Sequence, residues 1–199
     1  ASNSFEYYYH TMKDSKNNPI SVAISYLTGR YGNTEASLCV SNFCDEWTPK
    51  LMCLIGIAAG APNKIKLGDV IIPRTVIDVT LKEYSKGSFS NNLAETYTIN
   101  PDLERMLKSH PAFNQMLTDF SITDHPIGSD NTLIKDSTYF EKYLFPVSTA
   151  CRGCEMESAG FVRACQIEED VPWIVFRGIS DFGDNKSDEY QSQAAYNTS

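Results

Sequence analysis

Strand-like and helix-like segments alternate along the chain, and this order constrains the fold more than any other feature of the sequence. Met52–Ile57 is a continuous apolar run, which is typical of a strand that is buried on both faces. Trp173–Gly178 has the same character, and the helical pattern of Glu155–Gln166 precedes it. Alternation of this kind is typical of a sheet covered by helices. We therefore predict an α/β fold in which residues 1–199 form one three-layer domain, with a central mixed sheet flanked by helices.

Local signals place further elements on this outline. Phe5–His10 and Ile20–Tyr26 are predicted to be two strands joined by a polar turn. Asn33 is predicted to cap the N-terminus of the helix that follows it. Asn100-Pro101 predicts a second helix start, with proline at the first helical position. Thr132–Ile134 is predicted to be a short strand or a strand end.

The chain is acidic, with 17 Lys and Arg residues against 25 Asp and Glu residues and a formal net charge of −8. This balance argues against a nucleic-acid partner, because nucleic-acid-binding surfaces are basic. The longest apolar stretch, Leu51–Ala61, is shorter than the ~20 residues that a membrane-spanning helix needs, so no membrane partner is predicted. Six cysteines are too few for a disulfide scaffold and indicate a reduced, cytoplasmic protein. Cys151 and Cys154 have the spacing of a zinc or redox pair, but no second pair follows, so no metal site is predicted.

Three segments could carry chemistry, because each lies at the end of an apolar run or at the start of a helix, where ligands bind in α/β sheets. They are Gly56–Gly60, Cys154–Gly160 and Arg177–Asp184. The small residues of Gly56–Gly60 let a backbone approach a ligand closely, although a tight turn from strand to loop is the simpler interpretation. Their spacing fits neither a phosphate-binding P-loop nor a dinucleotide-binding motif.

The acidic residues of these segments allow both a catalytic and a structural interpretation. Glu155 and Glu157 share a face if the segment is extended, but point about 200° apart if the helix has begun, so that only one would face a common site. Either could instead complement the N-terminal end of the helix dipole. Asp181 follows an apolar strand, where partial desolvation suits a carboxyl group to proton donation; the structural alternative is that it caps a turn. The tripeptide Asp181-Phe182-Gly183 also occurs in kinases, but the other kinase motifs are missing from the sequence.

In their order and spacing, these segments resemble the nucleoside phosphorylase/nucleosidase superfamily, in the branch that includes methylthioadenosine/S-adenosylhomocysteine nucleosidase. The resemblance runs from about Phe5 to Ser199 and rests on the following segments: Gly56–Gly60, Lys66–Val70, His125–Ile134, Glu155–Gly160, Arg177–Asp181 and Tyr190-Gln191. It implies a three-layer fold around a mixed sheet, with neither a metal nor a redox cofactor. It also implies that the substrate is a small molecule, a purine nucleoside or nucleotide.

The resemblance further implies roles for individual residues in the cleavage of a glycosidic bond. Asp181 would protonate purine N7 and so make the base a better leaving group. Glu157 would accept hydrogen bonds from the ribose hydroxyls, and Met156 would pack beneath the sugar. Ser180 and Arg177 would orient Asp181. A proton donor at the base and a carboxylate near the cationic sugar suit such a reaction chemically.

The remaining substrate contacts implied by the resemblance lie at the base and along the glycine-rich segment. Ile134 would meet the edge of the base through its backbone, and Leu133 would lie against the face of the base. Ala58 and Ala59 would line the site. Glu155, in the same segment as Glu157, is a further candidate for binding the substrate.

The chain also departs from the family pattern. The family's first strand, which carries an acid that activates water, has no counterpart here, and the family's last helix continues further, so we expect a trimmed domain core. Leu133 stands where an aromatic side chain often stacks on the base, which implies weaker stacking. Ile57 stands where a hydroxyl group often contacts phosphate or the sugar, which favours hydrolysis over phosphorolysis.

The leading functional prediction is therefore a purine nucleosidase, and three alternatives stay open. The first is a purine nucleoside phosphorylase. The second is a nucleotide-cleaving module of a larger protein, with Arg30 and Lys186 as candidates facing the 5′ end. The third is an inactive binding or storage relative, against which the presence of both Glu157 and Asp181 argues. The family and the aromatic residues of Phe5–Tyr9 also predict a homo-oligomer, most simply a dimer.

Overall fold

The computed structural model describes residues 6–27, 31–85, 87–90, 93–110, 120–168, 170–184 and 188–198. The strands within these ranges are β1 (Tyr8–Lys13), β2 (Pro19–Ile24), β3 (Met52–Gly60), β4 (Val70–Ile71), β5 (Thr75–Asp78), β6 (Glu83–Ser85), β7 (Ser88–Ser90), β8 (Glu95–Thr98), β9 (Ile122–Thr123), β10 (Ile127–Ser129), β11 (Gly153–Glu155) and β12 (Trp173–Asp181). The helices are α1 (Asn33–Glu46), α2 (Pro101–Ser109), α3 (Ser158–Ile167) and α4 (Asp188–Thr198), with a π-helical turn at Phe140–Leu144.

Eight of the strands form one mixed sheet in the order β8-β5-β10-β11-β3-β12-β4-β9. The two long strands, β3 and β12, run parallel at its centre, and their register shifts between Ile179 and Asp181. β10 and β11 are parallel to each other, whereas β11 is antiparallel to β3. The central strands therefore bring the end of β11 and the end of β12 to opposite sides of β3.

Helices cover both faces of this sheet. Arg177 of β12 reaches towards α3, where it contacts Glu157. The next residue, Gly178, lies so close to α4 that a Cβ there would overlap the carbonyl oxygen of Ala194. Successive residues of a strand point to opposite faces, so α3 and α4 lie on opposite sides of the sheet. α1 packs outside α3, and the predicted arrangement of a mixed sheet flanked by helices is confirmed.

The core lies mainly between the sheet, α3 and α1. It includes Val40 of α1, Val162 of α3 and Val175 of β12, all of them buried. A second cluster of buried residues around Phe140 and Leu144 packs under the segment that follows β10. Both clusters flank the centre of the sheet and so hold the strand ends in place.

The predicted central strands exist, but their limits and their burial differ from the prediction. β12 continues from Trp173 to Asp181, and β3 continues to Gly60. The small residues of Gly56–Gly60 therefore belong to a strand, and their interpretation as a turn from strand to loop is wrong. The prediction that Met52–Ile57 is buried on both faces is also wrong, because Ile55 is 55% exposed.

The first predicted hairpin is confirmed, with its strands shifted. β1 begins at Tyr8 and pairs antiparallel with β2, and this two-stranded sheet is separate from the main one. Tyr9 stacks on Trp47, with ring centroids 5.7 Å apart, and this contact ties the hairpin to the end of α1. Tyr8 is exposed, whereas Phe5 lies outside the described residues. Thr132–Ile134 is not a strand.

The helix predicted from Asn100-Pro101 is confirmed as α2. The Asn100 side chain accepts hydrogen bonds from the backbone N–H groups of Asp102 and Leu103, at 2.9 and 3.3 Å. Proline at the first helical position needs no such partner, because it has no N–H. In the part of the chain that the structure describes, no helix is long and apolar enough to cross a membrane.

Candidate active site

The candidate site is built around the second half of β3, where strands β11 and β12 flank it. Ala59 of β3 pairs with Cys154 on one side and with Asp181 on the other. Neighbouring strands lie about 4.8 Å apart, so the backbones of β11 and β12 are separated by about 10 Å across β3. Glu155, which follows Cys154, and Asp181 therefore stand on opposite sides of the alanine-lined strand.

Arg177 is buried at the centre of this arrangement. It pairs with Gly56 in the β3–β12 ladder, and a Cβ at Gly56 would overlap its guanidinium group. The absence of a side chain at Gly56 therefore makes room for a buried cation. The Arg177 Nη2 donates to Glu155 Oε2 and, at 3.2 Å, to Glu157 Oε2. The two glutamates thus share one cationic partner.

Glu155 ends β11 and lies before α3, so the predicted start of the helix at residue 155 is wrong. Its carboxylate accepts hydrogen bonds from the backbone N–H groups of Glu157 and Ser158, each at 3.0 Å. Glu155 therefore acts as a partner for the N-terminus of α3 while it also neutralises Arg177. Because the helix begins only at Ser158, both glutamates reach the same centre, which sequence spacing alone left open.

The next two N–H groups of α3 are bound by side chains from distant segments. Ala159 N–H donates to Ser129 Oγ at 3.0 Å, and Gly160 N–H donates to Asn33 Oδ1 at 2.7 Å. Ser129 Oγ also donates to Asn33 Oδ1 at 3.0 Å, and Asn33 Nδ2 donates to Asn131 Oδ1 at 3.1 Å. The predicted capping of α1 by Asn33 is wrong, because this buried side chain joins α1 to α3 and to the end of β10 instead.

Glu157 occupies the N-cap position of α3, but its side chain makes no capping hydrogen bond. Its side chain is 14% exposed, so it is accessible from the site. Burial and the neighbouring Glu155 charge raise the pKa of Glu157, while the Arg177 guanidinium and the backbone N–H of Gly32 act in the opposite direction. Met156, next to it, is half-buried.

Asp181 is buried at the end of β12. Its Oδ2 accepts a hydrogen bond from Ser180 Oγ at 2.9 Å, and its Oδ1 accepts one from the Gly183 N–H at 2.7 Å. Ser180 thus contacts Asp181, as its predicted role requires. The hydrogen bonds of Arg177 go to Glu155 and Glu157, so the geometry supports orientation of these carboxylates, not of Asp181, by the guanidinium.

The two residues predicted at the base differ in exposure. Ile134 is buried and lies against Gly183, beside Asp181, whereas Leu133 is 53% exposed. A cavity of about 500 Å³ opens beyond the end of β12, and neither of these two residues lines it. It is lined by Pro62, Asn63, Ile65, Lys66, Leu67, Ser137, Phe182 and Asp184. Asp181 does not line this cavity, but the next residue, Phe182, does. The cavity therefore lies beside the end of β12 that carries Asp181.

Several site residues were not identified from the sequence. Asp130 is buried and accepts hydrogen bonds from Lys82 and Tyr139, while its backbone N–H donates to the Glu155 carbonyl at 3.0 Å. Burial, followed by the bond to Asp130, raises the pKa of Tyr139. Asp130 lies inside the segment that carries the resemblance, but nothing local identifies its partners. Arg30 and Lys186, the two residues predicted to face the 5′ end of the substrate, lie outside the described residues.

The fold and the site define an α/β protein with ionisable side chains gathered around the centre of a mixed sheet. A family model, the phosphorylase superfamily, matches residues 2–198. The chain belongs to this superfamily.

Curated relatives and solved structures narrow the comparison. The chain is 28% identical over 182 residues to ATP nucleosidase Cap17 of Escherichia coli (strain KTE188), a match covering 79% of this chain and 36% of that protein. It is 27% identical over 177 residues to 5′-methylthioadenosine/S-adenosylhomocysteine nucleosidase of Shewanella sediminis (strain HAW-EB3), covering 84% and 74%. The structure of such a nucleosidase from Colwellia psychrerythraea 34H, in complex with adenine, matches with a TM-score of 0.74 at 19% identity, covering 96% of this chain and 82% of that one. The match with the first relative thus spans about a third of that relative's length.

Proposed function

We propose that this chain is the catalytic unit of a purine nucleosidase, which hydrolyses the N-glycosidic bond of a purine nucleoside or nucleotide. The observation that most supports this proposal is the placement of two sets of carboxyl groups across β3. Asp181 stands on the β12 side of Ala59, and Glu155 and Glu157 follow β11 on the other side. A separation of about 10 Å between these strands leaves room for a base near one acid and a sugar near the other. Both relatives named above are nucleosidases, which supports the same reaction.

Asp181 is proposed as the general acid, acting on purine N7. The bonds from Ser180 and Gly183 fix the plane of its carboxyl group. In its protonated form the carboxyl group carries one O–H, and this O–H is the proposed donor to the substrate nitrogen. Proton donation from such a fixed group converts a poor purine anion into a neutral leaving group.

Glu157 is proposed to bind the ribose hydroxyls and to stabilise the oxocarbenium-like charge that develops on the sugar. Arg177 holds the carboxylate from behind and opposes the effect of burial and of Glu155 on its pKa. We therefore assign Arg177 to the glutamates and Ser180 to Asp181. Met156, half-buried beside Glu157, is proposed to pack beneath the sugar.

The base is proposed to lie between β3 and the segment after β10. Ala58 and Ala59 present little beyond backbone, which suits a flat ring. Ile134 is buried near Gly183 and is placed to meet the edge of the base through its backbone, and Leu133 is placed to cover one face.

Phosphorolysis is the second candidate, because the chain belongs to the phosphorylase superfamily. Ile57 of β3 argues against it, since an apolar side chain cannot donate a hydrogen bond to phosphate. The 5′ group is also open, because one relative is named for ATP and the other for methylthioadenosine and S-adenosylhomocysteine. A panel of adenosine, methylthioadenosine, AMP and ATP, with and without phosphate, separates these substrates and reactions by their products.

Asp181→Asn tests the proposed acid. The amide can still donate a hydrogen bond to N7 but cannot deliver a proton, so kcat on a purine substrate is expected to fall by about 10²–10⁴. This corresponds to about 3–5 kcal/mol of transition-state stabilisation. The matched control is a nitrophenyl riboside, whose leaving group needs no proton and whose kcat should change little. A parallel fall on both substrates would remove Asp181 from the acid role.

Self-association and a cytoplasmic location stay predictions. Tyr8 of the β1–β2 hairpin is exposed beside Tyr9, which leaves an aromatic surface available for a second copy of the chain. Light scattering at tens of micromolar tests this, and a monomer would contradict it.

A further inference from the structure

The N-terminus of α3 raises a question that the proposed role of Glu157 does not answer. The first N–H groups of a helix have no partner within it, and a side-chain oxygen at the N-cap, most often of Asn, Asp, Ser or Thr, can accept a hydrogen bond from the second or third of them. The positive end of the helix dipole strengthens this attraction. Glu157 is the N-cap of α3, yet its side chain makes no such bond.

Both N–H groups that the Glu157 carboxylate could accept from in this way already have other acceptors. Ala159 N–H, the second of the helix, donates to Ser129 Oγ at 3.0 Å, and Gly160 N–H, the third, donates to Asn33 Oδ1 at 2.7 Å. Ser129 Oγ donates its own proton to Asn33 Oδ1, so the two acceptors form one buried unit. The amides that would capture the Glu157 carboxylate are thus unavailable to it.

We propose that Asn33 and Ser129 are positioning residues that keep the Glu157 carboxylate off the α3 amides and directed at the sugar. This inference rests on the proposed sugar-binding role of Glu157 and adds a specificity device to it. The preference for ribose over 2′-deoxyribose then depends on two residues that are not proposed to contact the substrate. Neither residue is linked to this role by its local sequence.

The test measures the pKa of Glu157 by NMR titration of its side-chain carboxyl carbon, with the signal assigned by its loss in Glu157→Gln. Glu155, Arg177 and the backbone N–H groups of Gly32 and Met156 act on this carboxylate and remain in every variant. In Asn33→Ala the carboxylate folds onto the freed Gly160 N–H, and a carboxylate that accepts a helix N-terminal N–H has a lower pKa. The pKa of Glu157 is therefore expected to fall by about one pH unit or more relative to wild type.

Ser37→Ala is the matched control. Ser37 lies on the same helix as Asn33 and donates to the Gly160 carbonyl oxygen at 2.9 Å, so its loss weakens the contact between α1 and α3. It frees no N–H group of α3, and the pKa of Glu157 should stay at the wild-type value. If Asn33→Ala does not fold, Ser129→Ala frees the Ala159 N–H and decides the question by the same titration.

A kinetic measurement sharpens the result. Asn33→Ala is expected to reduce the ratio of kcat/KM for a ribonucleoside to that for its 2′-deoxy analogue by roughly ten-fold, the value of one hydrogen bond to a charged group. A purely structural role would lower both values equally. An unchanged Glu157 pKa in Asn33→Ala, or an equal fall in Ser37→Ala, overturns the inference. If the wild-type chain releases no base from any substrate, the proposed function fails, while the titration still decides where the Glu157 carboxylate lies.

Discussion

The first backbone N–H groups of α2 and of α3 both need hydrogen-bond acceptors from outside the helix, but the two helices obtain them from different places. At α2 the partner is local, since Asn100 accepts the N–H groups two and three residues further along. At α3 the partners come from three other elements: β11 supplies Glu155, β10 supplies Ser129 and α1 supplies Asn33. The end of α2 is exposed to water, whereas the end of α3 is buried against the sheet.

This difference determines what each helix end can do. A local cap stabilises its own helix and depends on nothing else in the fold. A cap assembled from distant elements forms only when the sheet and both helices are in place, so it couples global packing to the geometry around Glu157. Variants at the two ends should therefore differ in size of effect and in whether activity is affected.

The largest effect is expected for Glu155→Ala. The substitution removes the acceptor of the Glu157 N–H and of the first α3 N–H, that of Ser158, and it removes one of the two carboxylates paired with the buried Arg177. Removing one partner of a buried ion pair typically costs about 3–5 kcal/mol, and we expect a loss of this order in the free energy of unfolding, measured by urea denaturation. Glu155→Gln is the control, because its amide oxygen still accepts N–H bonds and the loss should be smaller. Equal losses for the two variants would contradict the capping role of Glu155.

The same difference explains what the sequence could and could not predict. α2, β3 and β12 follow from patterns within a few consecutive residues, and the sequence located them. Asn33 and Glu155 carry acceptors that suit a local cap or a distant N–H equally well, so local patterns predicted Asn33 as the cap of α1 and Glu155 as the start of a helix. Gly56 was interpreted as part of a turn, because the room it leaves for Arg177 depends on pairing with a strand more than a hundred residues away. Asp181 and Glu157 were located by resemblance, and their roles stay predictions.

A smaller effect is expected for Asn100→Ala, at the locally capped end. Loss of an N-cap side chain typically costs about 1 kcal/mol, and the free energy of unfolding should fall by about this amount. Because α2 supplies no residue to the candidate site, kcat and KM should stay unchanged, which steady-state kinetics can measure. Asn100→Asp keeps the acceptor and serves as the control. A fall in activity with Asn100→Ala would contradict the prediction that the cap of α2, unlike that of α3, affects only stability.

The smallest effect is expected at the other end of α2, where Lys108 donates to Glu104 at 2.8 Å and to Asp124 at 2.7 Å. The side chain of Lys108 is 42% exposed, and exposed pairs contribute about 0.2–1 kcal/mol, so Lys108→Met should cost no more than this at pH 7.

The pH dependence of the free energy of unfolding shows whether the Lys108–Asp124 ion pair is responsible for this difference. The bond from Lys108 lowers the pKa of Asp124, so the stabilisation is complete above the ordinary aspartate pKa and is lost as the pH falls through the lowered value. The pKa of Lys108 is raised by Asp124 and then by Glu104, so the same contribution persists up to the ordinary lysine pKa and disappears above the raised one. Urea denaturation of wild type and Lys108→Met should therefore give a difference at pH 7 that vanishes at about pH 2. Arg105→Met, which removes a more exposed pair with Asp102 on the same helix, is the control and should leave stability unchanged at both pH values. A Lys108→Met difference that persists at about pH 2 would mean that the stabilisation does not come from the charge pair.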